Sequence, residues 1–171
     1  MQINPELAEL AKNVRGIVFD VDGVLTDGRI IYSDDGHELK QFNVQDGASI
    51  KLLAAHDITI GIITGRRSPM VARRARELGI DYLQQGADAK ADALDKLITQ
   101  GFPDNHLAAV GDDLQDISVF QHDSVSLAMS VPNAHPATLK HAHFVTQRPG
   151  GGGVVVEIAQ LILTAQGKWS Y

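Results

Sequence analysis

Three polar segments in the 171-residue chain each follow an apolar run directly. Asp20-Val21-Asp22-Gly23 comes after Ile17-Val18-Phe19, Thr64-Gly65-Arg66 after Ile62-Ile63, and Gly111-Asp112-Asp113 after Ala109-Val110, with Asp116 one helical turn on. The Asp-x-Asp pair alone is a weak sign of catalysis; the other two segments add the Thr64 hydroxyl and further carboxylates, and the three together are a stronger one. Two carboxylates about 4 Å apart repel by about 4 kcal/mol at an effective dielectric of 20, so gathering Asp20, Asp22 and Asp112 at one place calls for a cation. With no cysteine in the chain, a hard divalent ion fits best. Mg²⁺ takes one or two carboxylates, keeps several waters and shares phosphate oxygens with a substrate. Taken alone, Asp112 and Asp113 read equally well as helix caps, but capping does not account for Asp20. Lys90 falls in the first turn of a helical pattern, where a cation opposes the helix dipole. A position that breaks a local rule is where a functional residue is expected, and its ammonium could neutralise an aspartate or hold a phosphate.

The elements that must position these residues follow from the hydrophobic pattern. Runs at Ile17–Val21, Ile58–Ile63, Leu107–Val110 and Val125–Met129 are too short for helices and suit buried strands. Ser68-Pro69 opens a helix that Gly79 can end, and a second runs from Asp88 to near Gly101 with Ala91, Leu94, Leu97 and Ile98 on one face. Buried strands separated by helices imply an α/β fold, a doubly wound parallel sheet. Ligands of such sheets bind beyond the carboxyl ends of the strands, where the three polar segments lie. One region breaks the alternation: 28–33 and 37–42 read as a β-hairpin turning at Asp34-Asp35-Gly36. A lone apolar hairpin is marginal in water. It either folds back on its own domain or pairs with another copy.

Composition narrows the function classes. Fifteen Lys and Arg against 21 Asp and Glu give a net charge of −6, which argues against nucleic acid as a partner. The opening 1–14 has no signal-peptide core, and the late apolar stretch is too short to span a bilayer, so no membrane partner and a cytoplasmic location are expected. The length suits one domain over 1–171. The histidines at 37, 135, 141 and 143 lack the spacing of a zinc motif and read as surface or packing residues. The glycine run 150–153 reads as a flexible loop at the rim of the site.

The order of these residues resembles the haloacid dehalogenase superfamily. Asp20-Val21-Asp22-Gly23-Val24-Leu25-Thr26 is similar to its first motif, Thr64 to its second, Lys90 to its third and Gly111-Asp112-Asp113-Leu114-x-Asp116 to its fourth. The resemblance tightens to the small capless phosphatases that act on 3-deoxy-D-manno-octulosonate 8-phosphate. It does so through 19–28, Phe42-Asn43-Val44-Gln45-Asp46-Gly47, Ile63-Thr64-Gly65-Arg66 and Ala165-Gln166-Gly167-Lys168.

That resemblance implies a Rossmann-like core with a hairpin insertion at about 28–42 and no cap domain. It makes Asp20 the nucleophile that forms an aspartyl-phosphate and Asp22 the general acid, then base. Thr64 and Lys90 would steady the phosphoryl group. Mg²⁺ would lie between Asp20, Asp112 and the backbone carbonyl of Asp22, with Asp113 acting through water and Asp116 orienting the loop. Gly65, Arg66 and Asp46 are the candidate contacts to a phosphorylated 3-deoxy-2-keto sugar acid. A homotetramer assembled through the hairpins would cover the site. Gln45 and Gly152 stand where similar proteins often carry basic residues, with Arg148 near enough in sequence to compensate, and the tail after Gly167 is shorter than in many relatives. A nine-carbon keto-sugar acid phosphate is the alternative substrate. From other classes, a phospho-accepting receiver would carry its Asp on a middle strand without an acid two residues later, and an inactive assembly module would hydrolyse no monoester.

Overall fold

Strand 1 is set by four apolar or small residues, Gly16–Phe19 (β1), all buried. The structure, a computed structural model, describes residues 4–170. After helix α1 (Pro5–Lys12) and β1 come the hairpin strands β2 (Ile31–Tyr32) and β3 (Glu38–Leu39). Then follow α2 (Val44–Ala55), β4 (Thr59–Thr64), α3 (Pro69–Leu78), β5 (Tyr82–Gln85) and α4 (Lys90–Thr99). Next are β6 (Leu107–Val110), a 3₁₀ turn at Leu114–Asp116, α5 (Ile117–Phe120), β7 (Val125–Ser130), α6 (Pro136–Leu139), β8 (Phe144–Val145) and α7 (Val154–Ala165). Six strands form one parallel sheet in the order β5-β4-β1-β6-β7-β8. The chain winds outward from β1 through β4 to β5, then returns to β6 on the other side of β1. That reversal opens a crevice beyond the carboxyl ends of β1 and β6, the usual ligand site of such folds.

Alternation along the strands divides the core in two. Ile17, Phe19, Ile60, Ile62, Ala108, Val110, Leu127 and Met129 face α1, α2, α3 and α7, while Val18, Ile63, Ala109 and Ala128 face α4 and α5. Side chains i and i+2 share a face of a strand, so β1, β4, β6 and β7 each feed both layers. Helix α3 has the ends its sequence predicts. Ser68 Oγ accepts the Met70 N–H at 3.3 Å, Pro69 opens the first turn, and Gly79 closes the helix in the left-handed region at φ 72°.

Several elements differ from the sequence expectation. β1 ends at Phe19 rather than Val21, because the chain swings away at Asp20 into a wide turn over Val21–Leu25. α4 starts at Lys90 rather than Asp88. The hairpin ladder pairs only Ile31 with Leu39 and Tyr32 with Glu38, far shorter than 28–42, and leaves Ile30, Tyr32 and Leu39 more than half exposed. β5 and β8 lack the apolar runs that mark the other strands, the first being Tyr-Leu-Gln-Gln and the second only two residues. Among the described residues no helix is long and apolar enough to cross a membrane; the late apolar stretch is α7, packed across α1 and α2.

The glycine run is no flexible loop. Gly151 N–H donates to Val24 O at 2.9 Å and Gly150 N–H to Asn133 Oδ1 at 2.9 Å. A Cβ on Gly150 would lie 1.7 Å from Gly23 O, so the backbones of 150–151 and the turn after β1 touch directly. Gly150→Ala is expected to lower stability by about 1–3 kcal/mol, the usual cost of overpacking, as read from urea denaturation; an unchanged midpoint would contradict this packing.

Candidate active site

The turn that follows β1 brings its aspartates beside those that follow β6. Asp20 keeps one sheet bond, its N–H to Val110 O at 2.9 Å, so its side chain leaves the last position of the ladder. Gly23 adopts φ 97°, and a Cβ there would lie 2.0 Å from Asp112 Oδ2; only glycine lets the Asp112 carboxylate approach this turn. On the far side, a Cβ on Gly111 would meet the Asp116 carboxylate carbon at 2.3 Å, so Gly111 makes the matching room for Asp116.

Carboxylate oxygens of Asp20, Asp112 and Asp116 all lie within 4.8 Å of one another. One ammonium is set among them: Lys90 Nζ is 2.9 Å from Asp20 Oδ1 and 2.7 Å from Asp116 Oδ1. Lys90, Asp20 and Asp116 are all buried, and the rule-breaking cation at the helix start is therefore held by two carboxylates that outweigh the dipole. Burial pulls the Lys90 ammonium down, but Asp20 and Asp116 more than compensate and raise it above the usual lysine value. Asp116 uses both oxygens locally. Its Oδ2 accepts the N–H groups of Asp112 and Asp113, each at 3.0 Å, so it orients the loop that carries Asp112, as the resemblance implies.

Three carboxylates against one ammonium leave the cluster negative. Burial first, then the Asp116 charge, push Asp20 up to about 7 despite Lys90. Burial, then Asp116, push Asp112 up to about 6, with Asp113 adding to the rise. Asp112 Oδ1 is buried and has no hydrogen-bond partner among the described residues. An orphaned oxygen in an all-oxygen, net-negative cluster fits Mg²⁺, held by Asp20 and Asp112 with Asp116 as the oriented neighbour.

The other expected residues divide. Thr64 is buried at the end of β4, next to β1 in the sheet, and its Oγ1 accepts the Arg66 N–H at 3.4 Å. Gly65 follows it, exposed, where a Cβ would touch Gln115 Oε1 at 3.3 Å, so it joins the β4 loop to the 3₁₀ turn. Asp113 is exposed and lies outside the carboxylate trio; its Oδ1 accepts the Leu114 N–H at 2.7 Å, the capping role. Asp46 lies away from the cluster as well. It is buried, and its Oδ1 accepts the Val155 N–H at 2.8 Å at the start of α7, with burial raising it to about 6 against the pull of that N–H, Arg148 and Arg74. Arg148 does reach Gln45, donating to its Oε1 at 2.8 Å.

Sequence reasoning missed Lys40 and Glu38. Lys40 Nζ is ion-paired with Asp22 Oδ1 and lies 3.0 Å from Glu38 Oε1, while Arg66 Nη2 lies 3.2 Å from Glu38 Oε2. A Glu-x-Lys pattern at the end of a two-residue strand carries no signal of its own; only the fold brings it to Asp22.

This arrangement can be set against known proteins. A haloacid dehalogenase-like hydrolase model matches residues 83–158. A KdsC 3-deoxy-D-manno-octulosonate 8-phosphate phosphatase of Escherichia coli K12 is 42% identical over 170 residues, 97% of this chain and 88% of that protein. The chain belongs to the haloacid dehalogenase-like hydrolases. The crystal structure of the Yersinia pestis 3-deoxy-D-manno-octulosonate 8-phosphate phosphatase superposes with a TM-score of 0.91 at 42% identity, covering 97% of this chain and 89% of the other. A Moraxella catarrhalis phosphatase of the same name, in complex with magnesium, phosphate and KDO, gives 0.89 at 42% identity over 95% and 92%.

The electrostatics have a measurable consequence without metal. Asp20 rises from 3.8 to about 7 on folding, so between these values the folded protein holds a proton the unfolded chain has released, and stability falls as pH rises. Metal-free protein is expected to lose stability between pH 4 and pH 7 from this group, with Asp112 adding in the same direction. Saturating Mg²⁺ at pH 8 should restore stability. Urea midpoints across pH check this; a metal-free protein whose stability rises over that range would contradict it.

Proposed function

We propose that this chain is a Mg²⁺-dependent phosphomonoester hydrolase that removes phosphate from 3-deoxy-D-manno-octulosonate 8-phosphate through an aspartyl-phosphate, a step of lipopolysaccharide precursor synthesis. The observation that carries it is the buried Asp20–Lys90–Asp116 array with Asp112 beside it. The KdsC relatives at 42–43% identity support the substrate.

Asp20 attacks phosphorus and takes the PO₃ unit on its carboxylate, splitting hydrolysis into two displacements. Asp22 gives a proton to the departing sugar oxygen, then takes one from the water that cleaves the phosphoenzyme. Lys90 holds Asp20 oriented as an anion, and the Thr64 hydroxyl donates to a phosphoryl oxygen, where charge gathers in the transition state. Bound Mg²⁺ supplies charge neutralisation between the carboxylates and the incoming phosphate. Arg66, on the loop after β4, faces the acidic sugar in this reading. Asp46 supports that region by anchoring α2 to α7, and Gly65 lies beside Gln115 of the 3₁₀ turn.

The exposed apolar hairpin, with Ile30, Ile31, Tyr32 and Leu39 open to solvent, supports assembly into a homotetramer with the hairpins at its centre. Chain 1–171 then forms one catalytic domain whose lid comes from a neighbour. The absence of cysteine suits a reducing compartment such as the cytoplasm.

Asp20→Asn is expected to lower kcat by at least about a thousandfold, as loss of a nucleophile does, with the fold retained by circular dichroism. Unchanged turnover would end the mechanism. Steady-state comparison of eight-carbon and nine-carbon substrates should favour the eight-carbon acid by at least about tenfold in kcat/KM, a discrimination within reach of one pocket. Equal values would defeat the substrate assignment and leave the reaction class standing.

A further inference from the structure

Lys40 is not used by the mechanism above, yet its side chain is 2% exposed. A lysine is almost never fully buried unless paired, and this one has two partners: Asp22 Oδ1 and Glu38 Oε1. The pairing crosses 18 residues of chain, tying the hairpin to the turn after β1. The link extends further. Glu38 also holds Arg66. Burial pushes Glu38 up, but the Lys40 ammonium and the Arg66 guanidinium prevail and keep it below the usual carboxylate range. The hairpin therefore grips two active-site loops of its own chain, whatever its outer face does.

The consequence falls on Asp22. Its Oδ1 is held by the ammonium, and its Oδ2 is buried with no hydrogen-bond partner among the described residues. A carboxylate with one oxygen fixed and the other free presents a single, aimed proton-transfer atom. Asp22 otherwise sits on a turn next to Gly23 with only 21% of its side chain exposed, and among the described residues Lys40 is the hydrogen-bond partner that fixes its rotation. Proton transfer needs the donor within hydrogen-bond reach of the leaving oxygen, so a rotated Asp22 would be chemically idle.

We propose that Lys40 is a positioning residue that fixes Asp22 Oδ1 so that Oδ2 delivers the proton to the leaving sugar oxygen, with Glu38 holding Lys40 in place. The proposal rests on Asp22 being the general acid. It places part of the catalytic machinery on the hairpin.

The test uses leaving groups of different basicity on the Mg²⁺-loaded full chain. Expulsion of a sugar alkoxide needs a proton, whereas nitrophenolate leaves without one. Single-turnover rates of leaving-group release are measured for 3-deoxy-D-manno-octulosonate 8-phosphate and for p-nitrophenyl phosphate, with wild type, Lys40→Met, Lys40→Arg and Asp22→Asn. Lys40→Met is expected to slow sugar release by about 10–100-fold, a part of the roughly 100- to 10,000-fold that a general acid contributes, while nitrophenolate release changes less than about threefold. Lys40→Arg should recover part of the loss. The ratio of the two rates on one protein is independent of the fraction folded, so partial unfolding does not mimic the effect. Equal slowing of both substrates, or of neither, by Lys40→Met while Asp22→Asn slows only sugar release would overturn the role of Lys40. An Asp22→Asn variant that slows both substrates alike would instead bring down the acid–base reading and the proposal with it.

Discussion

Negative charge crowded at the reversal of the sheet is the constraint on which the rest of the structure depends. Three carboxylates share a space a few ångströms across with one ammonium. Each close pair repels by about 4 kcal/mol at an effective dielectric of 20, against a net stability of about 5–15 kcal/mol for a whole domain. Such a cluster survives only because the scaffold holds it: β1 and β6 are neighbours in register, Phe19 beside Val110, and Asp116 is tied by two backbone N–H groups. The strain is the function, since a site that repels itself binds a divalent ion and, with it, a phosphate.

Glycine backbone makes the crowding sterically feasible. Gly23 and Gly111 clear the space for Asp112 and Asp116, and Gly150 lets the loop before α7 press against the turn that carries Asp22. Helix α7 is held in turn by the buried Asp46 at its first turn. Asp46, buried at the start of α2, thus ties α2 to α7. The hairpin completes the frame through Lys40 and Glu38, so the part of the chain with the fewest internal contacts still reaches the chemistry.

Much of this was legible from the sequence, for reasons that are physical. Buried parallel strands are continuous apolar runs, and β1, β4, β6 and β7 announced themselves; the ends of α3 were written in Ser68, Pro69 and Gly79. Asp20, Lys90 and Asp112, which the structure brings together, stood out because each follows such a run or breaks a helix rule, and Thr64 stood out at the end of the strand beside β1. β5 and β8 were missed because one is polar and the other is two residues long. The glycine run was misread as mobile because close backbone contact leaves no side-chain trace. Asp46 and Lys40 were misplaced or overlooked because their partners, Val155 and Asp22, lie 109 and 18 residues away, and no local pattern reports a pairing across the fold.

The central claim is that distant loops build one cation site from carboxylates that would otherwise repel. Titration calorimetry of Mg²⁺ into metal-free wild type, Asp112→Asn and Asp46→Asn tests it most directly. One ion per protomer in wild type and in Asp46→Asn, with affinity weakened at least about tenfold in Asp112→Asn, is the predicted result. Undiminished binding by Asp112→Asn would place the ion elsewhere and contradict the account.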